Sequence, residues 1–66
     1  MEIILNGSPR RLGDAATVAG LLDELGLTDR HVAVEVNLDL VPRPEHARHR
    51  LAEGDRVEIV TLVGGG

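Results

Sequence analysis

Val18, Leu21, Leu22 and Leu25 recur at i, i+3, i+4 and i+7, which is one apolar stripe along a short α-helix. A helix of this length is marginal in water by itself. Its four aliphatic side chains therefore have to be buried against some other part of the chain. The rest of the chain offers strands. Met1, Ile3 and Leu5 alternate with Glu2, Ile4 and Asn6, and Val32, Val34 and Val36 alternate with Ala33 and Glu35. A third strand-like run, Arg56 to Val63, is the longest. One helix among several strands in 66 residues predicts an α+β layer pair, a sheet with the helix across one face.

Local signals set the boundaries. Asn6-Gly7 supplies the two positive-φ positions of a tight hairpin turn. The chain then returns as a polar strand from Ser8 to Leu12, with Pro9 tolerable only at a sheet edge. Gly13-Asp14 breaks that strand, Thr17 is the expected N-cap of the helix and Gly26 its stop. Gly20, inside the helix, is about 1 kcal/mol worse than alanine and reads either as merely tolerated or as a close approach to a strand. His31 to Val36 is a strand, Asn37-Leu38-Asp39 a turn, and Leu40-Val41 a short strand ended by Pro42 and Pro44. Glu45 to Arg50 reads as an irregular turn or a short helical piece, and Glu53-Gly54-Asp55 as the turn before the last strand. The expected fold is a mixed sheet of about five strands with one main helix on one face, a β-grasp arrangement with strands one and five side by side in the middle. It occupies residues 1–63, followed by a flexible glycine tail, residues 64–66.

Composition narrows the function. A domain this small leaves little room for a buried cleft. The chain has no cysteine, so no disulfide framework and no thiol nucleophile. Its opening run is too short for a signal segment or a membrane span, and a cytoplasmic protein is expected. The net charge is −4, the seven arginines form no stripe and no aromatic ring is present to stack a base, so nucleic acid is not an expected partner. There is no lysine to accept an isopeptide bond. His46 and His49 with Glu45 have ligand-like spacing, but beside two prolines they read as solvated side chains, and no metal site is expected. Ser8 and Thr17 have turn and cap roles, and no catalytic residue is expected.

What remains is the terminus. At a background glycine frequency of about 7% per position, three terminal glycines arise by chance in about 3 chains per 10,000. Gly64, Gly65 and Gly66 directly follow the longest strand and end in a free carboxylate. If Val57, Ile59, Thr61 and Val63 face the helix, Val60 and Leu62 point to the open side of the sheet, as Ile4 does on strand one. Three aliphatics on an open face near the tail read as a partner surface.

These residues together resemble the small sulfur-carrier proteins of the ubiquitin-like β-grasp superfamily, most closely the ThiS type that serves the thiamin thiazole ring. The resemblance covers nearly the whole chain. It rests on Met1-Glu2-Ile3-Ile4-Leu5-Asn6, Thr17-Val18-Ala19-Gly20-Leu21-Leu22, Ala33-Val34-Glu35-Val36-Asn37, Val41-Pro42-Arg43, Gly54-Asp55 and the glycine end. It implies that an E1-like adenylating enzyme (ThiF type) uses ATP to activate the Gly66 carboxylate, with Gly64 and Gly65 threading the tail into the enzyme. A persulfide donor then supplies sulfur, and the thiocarboxylate goes to a thiazole synthase (ThiG type). ATP belongs to the enzyme, and no cofactor is expected on the carrier. The glycine tail alone equally suits a carrier for molybdopterin or another pathway, and a noncovalent interaction module with an inert tail is the reading from a different class. The chain departs from the family in its third glycine, and in His46 where a bulky aromatic is common.

Overall fold

The computed structural model describes residues 1–28 and 30–62. Strand β1 (Glu2–Leu5) and strand β2 (Ser8–Arg11) form the opening hairpin, joined by Asn6 and Gly7 at φ 48° and 86°. Helix α1 (Val18–Glu24) follows, then strands β3 (Val32–Val36) and β4 (Asp39–Leu40), a 3-10 turn at Arg43–Glu45, and strand β5 (Arg56–Thr61). The sheet order is β2-β1-β5-β3-β4, so β5 is central. It runs parallel to β1, with Leu5 opposite Val57, and antiparallel to β3, with Val34 opposite Ile59. The expected adjacency of the first and last strands is therefore observed, and β2 with its proline is an edge.

The helix is short, and its ends are fully capped. Thr17 accepts a hydrogen bond on Oγ1 from the Gly20 N–H at 3.1 Å. At the other end Gly26, at φ 73°, turns the chain back. The Gly26 N–H reaches Asp23 O at 3.1 Å and the Leu27 N–H reaches Leu22 O at 2.8 Å, the paired bonds of a Schellman motif. Val18 and Leu21 are fully buried against Ile3, Val34 and Val57. Burial of such side chains is worth about 1.5–3 kcal/mol each, which is what holds a seven-residue helix in place.

Four expectations are corrected. Gly20 makes no close approach to a strand: it is exposed, and a Cβ there would meet only Thr17 Oγ1, at 3.4 Å. Thr61, expected on the helix side with Val57 and Ile59, is exposed. The helical piece begins at Arg43 and takes in Pro44, since proline suits the first turn of a helix. His46 is not a solvated side chain. The turn swings its ring inward to 8% exposure, where the Nε2–H donates to Val41 O at 2.9 Å. Val63 and the glycine tail lie outside the described residues. Among the described residues no helix is long and apolar enough to cross a membrane.

Candidate functional site: the open sheet face and the end of β5

Strand β5 delivers the chain to its terminus. It is held on both sides, by β1 and by β3, and its last described backbone contact is the Leu62 N–H donating to His31 O at 2.8 Å. Two asparagine side chains hold its backbone, one at its start and one at its middle. Asn6 lies just beyond the end of β1, and its side-chain amide continues the pairing: Oδ1 accepts the Ile59 N–H at 2.8 Å and Nδ2 donates to Ile59 O at 3.2 Å. From the other side Asn37 Oδ1 accepts the Arg56 N–H at 2.9 Å, while its Nδ2 donates to Asp55 Oδ1 at 3.0 Å. The sequence shows both asparagines as turn residues, and their positive φ fits that. Their second role needs β5 alongside, which local sequence does not reveal.

The face of the sheet away from α1 is built from the alternate residues. Val60 stands opposite Ala33, Glu58 opposite Glu35, and Glu35 opposite Leu40 on β4. Val60 is 58% exposed, Leu62 55% and Leu40 64%. Val60 and Leu62 lie at the end of the sheet where β5 finishes, while Leu40 stands in the Glu58–Glu35 row, toward the β3–β4 turn. Of the residues expected to form the patch, Val60 and Leu62 come together. Ile4 does not join them: it is half-buried, stands opposite Arg56 and Pro9, and is separated from Val60 by the Glu58 row. Leu40, in the Glu58–Glu35 row and two strands from β5, is a separate exposed apolar side chain on the same face. A two-residue strand carries no alternation from which its outward face could be read.

On the helix side, Ala19, Leu22, Thr28, Arg43, His46 and Ala47 line an open pocket of about 280 Å³. Its histidine is committed to Val41, and its arginine has no carboxylate within 4 Å among the described residues. Among the described residues no three His, Cys, Asp or Glu side chains gather to hold a metal. Glu45 instead meets Arg48 at 2.6 Å.

The mixed five-stranded sheet with one helix across it is the ubiquitin-like β-grasp. The crystal structure of a thiamine biosynthesis protein (ThiS) from Geobacter metallireducens superposes with a TM-score of 0.84, at 29% identity and with both chains fully covered. The sulfur carrier protein ThiS of Escherichia coli is 29% identical over the full length of both chains. A thiazole synthase from Paramagnetospirillum magneticum is 44% identical over all of this chain, which spans only 20% of that protein's length. A model of the ThiS family matches residues 3–66. The chain belongs to the ThiS family.

Proposed function

We propose that this chain is a sulfur carrier for the thiamin thiazole ring, a protein co-substrate with no catalytic residue of its own, and that Gly66 is the residue modified. The observation that carries the reading is the extent of the family match, which runs from the first strand through Gly66 and so takes in the glycine tail. A carboxylate is a poor acyl donor until one oxygen becomes a good leaving group. In the first step the Gly66 carboxylate attacks the α-phosphorus of ATP on an E1-like enzyme, and pyrophosphate leaves. A persulfide sulfur then attacks the acyl carbon and displaces AMP. The resulting acyl disulfide is cleaved by a second thiol, which takes the donor's sulfur into a disulfide and leaves a thiocarboxylate on Gly66.

The tail's chemistry suits these steps. An acyl adenylate has to be kept from water inside the enzyme, and Gly64 and Gly65 offer no side chain to obstruct a narrow channel. Val60 and Leu62 form the docking surface beside it, and Leu40 extends that surface along the same face toward the β3–β4 turn. A thiazole synthase is the receiving partner, a reading supported by relatives of that name in which a segment like this chain makes up about a fifth of the polypeptide.

Intact-mass analysis tests the proposal. Incubated with ATP, an E1-like enzyme and a persulfide donor, the chain gains the mass of one oxygen-to-sulfur exchange. The chain lacking Gly66 gains none while its thermal unfolding is unchanged. Exchange that survives the deletion removes Gly66 as the acyl carrier.

A further inference from the structure

The hairpin between β3 and β4 turns through Asn37 and Leu38, both at positive φ, 53° and 75°. Asparagine tolerates that region. For a branched aliphatic residue it is a genuine outlier, since Cβ crowds the backbone there. Leucine is not held at this position by packing, because Leu38 is 87% exposed, the most exposed large apolar side chain among the described residues. Glycine suits such a turn better, and a polar residue suits the water. Leu38 is thus unfavourable in the free protein on two counts, and strain of this kind points from an outlier to a function.

Its surroundings define what it fits. Leu38 lies at the end of the sheet opposite to the one where β5 finishes, about 17 Å away at a rise of about 3.3 Å per residue. Between the two ends stand Glu35 and Glu58, directly opposite each other on the open face, and Asp39 follows Leu38. None of these carboxylates has a cation within 4 Å among the described residues. Facing like charges repel, so a partner that brings cations between two apolar sockets relieves them. An enzyme that binds a triphosphate beside a carboxylate has to gather arginine and lysine around them.

We infer that Leu38 is a specificity-determining knob that seats in an apolar, basic-rimmed socket on the adenylating enzyme, which lies along the whole open face from the tail to the β3–β4 turn. The inference rests on the sulfur-carrier reading above.

Leu38→Gly is the test, because the two halves of the argument move in opposite directions. Relief of the turn raises the melting temperature by about 4–8 °C. Loss of a buried leucine raises the KM for the carrier about tenfold, with kcat within twofold, when pyrophosphate release is followed with the carrier as varied substrate. Leu38→Met, which keeps an apolar side chain, restores the KM. A Leu38→Gly protein with wild-type KM overturns the inference, as does one that melts lower than wild type. Unchanged adenylation with lost binding to thiazole synthase overturns the choice of partner. Wild-type chain that no E1-like enzyme adenylates refutes the sulfur-carrier reading itself, whereas adenylated wild type with unaltered Leu38→Gly kinetics refutes the knob alone.

Discussion

Asn6 does two things that no other side chain could do together. It accepts φ 48° in the β1–β2 turn, and its amide satisfies both backbone groups of Ile59, 53 residues further on. Two substitutions separate these roles. Asn6→Gly keeps the positive φ and loses both hydrogen bonds, leaving partly buried backbone groups unsatisfied. It should lower stability by about 1–3 kcal/mol. Asn6→Ala adds the strain of a β-carbon at positive φ and should lose about 1 kcal/mol more. Urea unfolding of the three proteins measures both differences, and equal midpoints for the two variants would show that the turn carries no strain. The turn was legible in the sequence because Asn-Gly is a local signal. The bridge to Ile59 was not, because it depends on a parallel pairing between the two ends of the chain. His46 is a similar case: its neighbours suggest a wet loop, and only the packing of that loop against the start of α1 brings the ring inward to the Val41 carbonyl.

At the level of elements, α1 shows which signals are local. The stripe, the Thr17 cap and the Gly26 stop all lie within or beside the helix, and all could be read from the sequence. The covering of its first turn could not. The Val18 and Ala19 N–H groups donate to the carbonyls of His49 and His46, at 3.0 and 2.9 Å. These are two of the donors that every helix start leaves unmatched. Because the acceptors are backbone carbonyls, no residue type marks them, and the segment from Pro42 to Arg50 shows no pattern that reveals its place over the helix. The structure also makes Gly20 dispensable. It is exposed in a regular turn, and a methyl group there meets Thr17 Oγ1 at an ordinary 3.4 Å. Gly20→Ala should therefore raise stability by about 0.5–1 kcal/mol, through better helix propensity and a less flexible unfolded chain. Thermal unfolding checks this, and a fall in melting temperature would show that the helix uses the glycine in a way its contacts do not reveal.

For the whole molecule, the sheet has one face that is buried and one that is open. One face buries Ile3, Val34 and Val57 under the helix, and the other leaves Val60 and Leu62 in water beside the end of the central strand, with Leu40 exposed nearer the β3–β4 turn. Parity along β5 made Val60 and Leu62 readable from sequence. Placing Ile4 with them needed the register, which sets it opposite Arg56. The division has a measurable consequence at Val60. Its side chain contributes little to the core, and a glutamate there gives up β-propensity and stands two residues from Glu58 on the same face. Val60→Glu should therefore shift unfolding by no more than about 1 kcal/mol. On a docking surface the same change buries a charge without a partner, and the KM for the adenylating enzyme should rise at least tenfold while the carboxylate at Gly66 stays intact. Loss of Gly66 has the reverse signature, an unaltered fold and docking surface with no sulfur incorporated. If Val60→Glu leaves both unfolding and KM unchanged, the open face is not where the enzyme binds, and the tail alone must supply the recognition.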